Sequence, residues 1–162
     1  MEREDLRQRV ELARVLGCKA GATLMKYFGA ISRVDYKGGV DLVTEADEAA
    51  EAVVRAGIAA SFPHDRILAE ETGASGDETG AWCWVIDPLD GTTNFVHGVR
   101  RFAVSIGITY RDEPVAGVIY EPVNQATYYA SVGEGAWCDA NPLKVSEQES
   151  LKESLLVTGF PY

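Results

Sequence analysis

The chain has 162 residues, 46% hydrophobic and 25% charged, the composition of one globular domain rather than of a disordered, fibrous or disulfide-stapled chain. Fifteen basic residues against 25 acidic ones leave a formal net charge of -10, which argues against nucleic acid or anionic lipid as partners, since both are held by basic surfaces. A phosphorylated ligand therefore needs local help, from metal ions or backbone amides.

Over residues 6–28 the large apolar side chains Leu6, Val10, Leu16, Leu24 and Phe28 recur at helical spacing. Ala13, Gly17, Ala20 and Gly21 form a small-residue seam between them, suited to close packing on a neighbouring helix or sheet. Residues 32–40 carry the Gly38-Gly39 pair and read as a turn, with a brief strand near 33–36. A second helix is predicted over 44–61, opened by Thr44 and Asp47 in capping-box spacing and closed by Pro63. Beyond it the period becomes that of strands, at 67–69, 82–87, 103–110, 115–120 and 127–131, joined by turn residues. Two helices followed by consecutive strands predict an α+β layer: two long helices packed on one face of a mostly antiparallel sheet.

Cys18, Cys83 and Cys138 are odd in number and lack zinc or redox spacing; they read as buried thiols of a reducing compartment. The opening residues are charged in both signs and lead into the helix. Neither a signal peptide nor a membrane span is expected, and the cytoplasm is the expected location.

The chemistry is concentrated at residues 87–98, DPLDGTTNFVHG. A buried strand ends in Asp87, Asp90 follows after Pro88-Leu89, and Gly91-Thr92-Thr93 begin a possible short helix. Two carboxylates on one turn suit hard cations such as Mg²⁺, which takes oxygen ligands and keeps positions for water and phosphate; amides from Gly91 onward suit a phosphate. Asp-Pro and Asp-Gly pairs are also ordinary turn formers, and spacing alone leaves the two readings even. The remaining acidic groups favour the metal: Glu70-Glu71 after the apolar 67–69, and Asp41, Thr44 and Asp47 at the second helix. His97, His64 and the three tryptophans read as structural.

Three motifs then stand in order, DLVTEAD at 41–47, ILAEET at 67–72 and WVIDPLDGTTNFVHG at 84–98, followed by GEGAWCDANPLKVS at 133–146. In these the chain resembles the inositol monophosphatase family, over nearly its whole length. The resemblance implies the N-terminal half of the layered αβαβα fold shared with fructose-1,6-bisphosphatase. Residues 1–150 would form a metal- and phosphate-binding α+β domain, and 151–162 the start of a crossing into a C-terminal α/β domain. It also implies a phosphomonoesterase using two or three Mg²⁺ ions. Glu70, Asp87, the Leu89 carbonyl and Asp90 would hold metal, Asp47 and Thr92 would activate a water, and Gly91, Thr92 and Thr93 would contact the phosphate. Glu71, Lys37 and Asp41 are supporting candidates.

The family's pattern includes a further acidic ligand in a later Trp-Asp motif, which these 162 residues do not contain. A small phosphorylated polyol or sugar is the implied substrate, myo-inositol monophosphate foremost because Thr93 and Asn94-Phe95 follow Thr92. Histidinol phosphate and fructose bisphosphate are alternatives, as is a non-catalytic dimerisation or partner-binding role. A homodimer and lithium sensitivity are implied by the family.

Overall fold

A computed structural model of the chain describes residues 2–30, 34–37 and 41–158, with the side chains of 34–37 and 41–43 outside the description. Helix α1 (Arg3–Tyr27) buries Leu6, Val10, Ala13, Leu16, Ala20 and Leu24 along one stripe, as the spacing predicts. The small-residue seam brings it close to the sheet. A Cβ at Gly21 would stand 2.4 Å from the Tyr120 ring, so only glycine permits this approach.

Strands β1 (Val34–Lys37) and β2 (Asp41–Thr44) form a two-stranded antiparallel ribbon. The predicted Gly38-Gly39 turn lies outside the described residues. Strand β2 was not foreseen in the sequence, where Asp41 simply preceded the helix. Thr44 ends that strand and caps α2 (Glu45–Ser61): its hydroxyl accepts from the Ala46 amide at 3.1 Å, and the Asp47 carboxylate accepts from the Thr44 amide at 2.9 Å.

The remaining strands make one eight-stranded sheet. They are β3 (Arg66–Ala69), β4 (Gly73–Ser75), β5 (Trp82–Asp90), β6 (Ala103–Tyr110), β7 (Glu113–Glu121), β8 (Ala126–Ser131), β9 (Gly135–Cys138) and β10 (Asn141–Pro142), in the order β10-β9-β8-β7-β6-β5-β3-β4. Every pairing is antiparallel except β3 with β5. The sheet is thus mostly antiparallel, as expected. Strands β4, β9 and β10 escape prediction because they are short and glycine-rich or polar, without an alternating apolar pattern.

Both long helices pack on one face. Ile67, Trp84, Ile86, Val104, Ile106 and Val118 meet the apolar stripes of α1 and α2 there. Alternate residues Leu68, Val85, Ile119 and Tyr128 are exposed. At one end of this core Arg9 donates to both Asp65 carboxylate oxygens, at 2.8 and 2.9 Å, and its guanidinium lies 4.1 Å from the centres of the Phe62 and Trp82 rings. Trp84 Nε1 donates to the same carboxylate at 2.8 Å. This buried ion pair with its extra donor ties α1 to the entry of β3 and to β5.

The cysteines depart from expectation. Cys83 is buried, whereas Cys18 is exposed and Cys138 half-buried, because Cys18 falls on the side of α1 turned away from the core. No helix among the described residues is long and apolar enough to cross a membrane.

Candidate active site

The parallel pairing of β3 with β5 brings the acidic residues together. Its register runs from Arg66 opposite Cys83 to Ala69 opposite Ile86. Glu70 continues it, its amide donating to the Ile86 carbonyl at 3.0 Å. Ala69 and Ile86 face the core. The next residues along, Glu70 and Asp87, therefore face the other way, side by side at the carboxyl ends of parallel strands, where open α/β sheets commonly place ligands.

Asp90 joins them through an irregularity in β5. Asp87 pairs with Ser105 and Asp90 with Ala103, so three steps on β5 match two on β6. The extra residue of this bulge reverses the pleat's alternation and keeps Asp90 within electrostatic reach of Asp87. Pro88, having no N–H, fits where the ladder is interrupted. The Leu89 amide donates to Asp87 Oδ1 at 3.1 Å.

Asp87 bears the electrostatic consequence. Its pKa is pushed up to about 7, chiefly by burial, then by the Glu70 and Asp90 carboxylates; the hydrogen bond from Leu89 opposes this. Among the described residues no three His, Cys, Asp or Glu side chains form a ready-made metal cage. The arrangement is pairwise, with Asp87 shared between Glu70 and Asp90. An all-oxygen donor set with mutually repelling carboxylates fits the chemistry of hard divalent cations, which remove that repulsion.

Beyond Asp90 the chain turns through Gly91, whose φ of 97° is in the left-handed region, into α3 (Thr92–Val96). A Cβ at Gly91 would come within 3.0 Å of the Arg101 carbonyl. The turn delivers the Thr92 hydroxyl to two acceptors, Leu89 O at 3.0 Å and Asp47 Oδ1 at 3.2 Å. The other Asp47 oxygen accepts from the Thr44 hydroxyl at 2.5 Å. Burial raises the pKa of Asp47, and its hydrogen bonds from Thr44 and Thr92 oppose the rise.

The structure thus unites Glu70, Asp87 and Asp90 at one strand end and links Asp47 to Thr92 beside them. Thr93 and Gly91 flank Thr92 at the start of α3. Glu71 lies in the β3–β4 turn, its amide bound to a side chain from α2. The Lys37 and Asp41 backbones face each other across the β1–β2 ribbon, but their side chains lie outside the described residues. His97 is exposed at the end of α3 and Trp137 donates to the Glu134 carbonyl at 3.0 Å.

The sequence reading overlooked Glu51. It is 1% exposed and accepts from the Glu71 amide at 2.8 Å and from the Thr72 hydroxyl at 2.5 Å. Arg55, one turn further on, donates to the Thr72 hydroxyl, and to Ser75 Oγ at 3.1 Å. The available signal was a glutamate four residues after Asp47, within the apolar stripe of Ala46, Ala50, Val54 and Ile58.

The model of the inositol monophosphatase family matches residues 5–162. The chain belongs to that family. An inositol-1-monophosphatase of Synechocystis is 43% identical over 159 residues, 98% of this chain and 55% of that protein. A fructose-1,6-bisphosphatase/inositol-1-monophosphatase of Aquifex aeolicus is 35% identical over 160 residues, 98% of this chain and 60% of that protein. The solved structure of an IMPase from Thermotoga maritima superposes with a TM-score of 0.80 at 36% identity, covering 93% of this chain and 57% of the other. The chain thus spans a little over half the length of these inositol monophosphatase relatives, and its helices and sheet follow the inositol monophosphatase/fructose-1,6-bisphosphatase fold.

Proposed function

We propose that this chain supplies the cation- and phosphate-binding part of an active site that hydrolyses a phosphate monoester, with an inositol monophosphate as substrate. The observation that carries the reading is Asp87 set between Glu70 and Asp90, beside the Thr92–Asp47 pair. The names of the Synechocystis and Aquifex relatives support the substrate class.

Glu70, Asp87, the Leu89 carbonyl and Asp90 would hold Mg²⁺, two or three ions in all. Bound Mg²⁺ neutralises phosphate charge and acidifies water, which dispenses with a protein nucleophile. Thr92 has one hydroxyl proton for two acceptors. Were Leu89 O to hold a cation, Asp47 Oδ1 would be the acceptor left for that proton, and the Thr92 oxygen would be free to accept from a water. Asp47, buried and with a raised pKa, suits a group that receives a proton through Thr92. The amides of Gly91, Thr92 and Thr93, at the turn into α3, would bind phosphate oxygens.

In the same reading residues 1–150 form the metal-binding domain and 151–162 begin the crossing to a second domain. The exposure of Leu151, Leu155, Leu156 and Val157, at 68–94%, agrees with this. The whole protein is read as a cytoplasmic, lithium-sensitive homodimer.

The test is phosphate release from inositol 1-phosphate, histidinol phosphate and fructose bisphosphate in Mg²⁺, with and without Li⁺. Both the 162-residue chain and a family-length protein carrying it are assayed. The long protein should prefer the inositol ester and lose activity with Asp87→Asn, and the short chain should turn over poorly. Release by the long protein that survives Asp87→Asn would overturn the reading.

A further inference from the structure

One face of α2 serves the site at three successive turns. Asp47 reaches Thr92, Glu51 reaches the β3–β4 turn at Glu71 and Thr72, and Arg55 reaches Thr72 and Ser75. Glu51 is 1% exposed, and it meets the backbone of Glu71 and the hydroxyl of Thr72 rather than the carboxylates of Glu70, Asp87 and Asp90. A carboxylate among Ala50, Val54 and Ile58 is costly unless its oxygens are satisfied. Here each oxygen has a donor in the β3–β4 turn, and Arg55 Nη1 lies 3.6 Å from Oε1.

The two peptide groups flanking the Glu70 α-carbon are held from opposite sides. The Glu70 amide donates to Ile86 O of β5 and the Glu71 amide to Glu51 Oε2 of α2. With both peptide planes fixed, the Cα–Cβ direction of Glu70 is fixed as well. The register of β3 on β5 points that bond along the same face as Asp87. Without Glu51 the clamp loses its α2 side, at a three-residue turn that is largely exposed.

We propose that Glu51 is a positioning residue that holds Glu70 in place beside Asp87 for cation binding. The role rests on the cation-binding reading above. Glu51 acts through the backbone of Glu71 and touches neither cation nor substrate. Glutamine in its place keeps the volume but removes the charge and one acceptor: its single oxygen can serve the Glu71 amide only if the Thr72 bond reverses, with that hydroxyl accepting from the new carboxamide, and both bonds lose their charge assistance.

The test compares Mg²⁺ affinity by calorimetry, amide hydrogen exchange at residues 70–72, and Tm without cation, for the unaltered 162-residue chain, Glu51→Gln and Thr72→Val. Glu51→Gln should bind Mg²⁺ about 10-fold more weakly per folded molecule and exchange the Glu71 amide faster. A purely structural role would lower Tm and leave the affinity of the folded fraction unchanged. Thr72 is exposed, so Thr72→Val keeps the fold testable should Glu51→Gln fail to fold; it removes one donor to Glu51 and should weaken binding by a smaller factor, about 3-fold. Unchanged affinity in Glu51→Gln, or in Thr72→Val where Glu51→Gln does not fold, overturns this proposal alone. No Mg²⁺ binding by the unaltered chain overturns the cation-binding reading and this proposal with it.

Discussion

The Thr92 hydroxyl stands 3.2 Å from Asp47 Oδ1 and 3.0 Å from the Leu89 carbonyl, joining residues at the starts of α2 and α3 that lie 45 positions apart. The Asp47 carboxylate also closes the cap of α2, so one group orients the helix and the threonine. Asp47→Asn should lower phosphate release by the family-length protein by about 10²–10⁴-fold, the usual range for loss of a positioned proton acceptor. Thr92→Val should cost a similar factor, Thr92→Ser much less, and the double variant little more than either single one, because the two act as one relay. Fully additive losses in steady-state kinetics would show that they work separately.

The raised pKa of Asp87 makes stability depend on pH. Its folded value of about 7 lies above the ordinary 3.8. Between those values the folded chain holds a proton that the unfolded chain has released, so this group's contribution falls as pH rises from about 4 to about 7 and is then level. Subtracting the Tm profile of Asp87→Asn from that of the unaltered, cation-free chain should reveal this slope. Mg²⁺ should restore Tm most above about pH 7, where the carboxylate is ionised and no proton competes. A flat difference across that window would contradict the assigned environment.

At Gly91 a positive φ and a close carbonyl act together. Gly91→Ala should destabilise the chain by about 1–3 kcal/mol from the left-handed conformation and the contact with Arg101 O. Urea unfolding measures this. An unchanged midpoint would mean that the β5–α3 turn relaxes without cost.

Arg9 and Asp65 are a buried pair, 8% and 6% exposed at their side chains. Arg9→Met leaves the Asp65 carboxylate inside with Trp84 as its remaining side-chain donor, and should cost about 3–5 kcal/mol. Replacing both as Arg9→Met and Asp65→Leu should recover part of that loss by removing the stranded charge. Denaturant titration of the single and double variants decides it; a double variant no more stable than Arg9→Met would show that the stranded charge is not the source of the loss.

By itself the sequence determined the helices, the central strands and where the acidic residues stand at element ends, because each is written in local spacing. The apolar stripe of α1, the Thr44–Asp47 cap and the DPLDGTT run are read within one or two turns of chain. The resemblance to the inositol monophosphatases in three motifs carried the family assignment that the match over 5–162 then made plain. Tertiary structure alone decided the parallel register that lays Glu70 beside Asp87, and the bulge that keeps Asp90 with them. It also decided the role of Glu51, which in sequence is one more glutamate of an acidic helix. Such relationships depend on which strands pair and on which helix face meets which turn. These are set by packing between residues distant in the chain, so no local pattern records them.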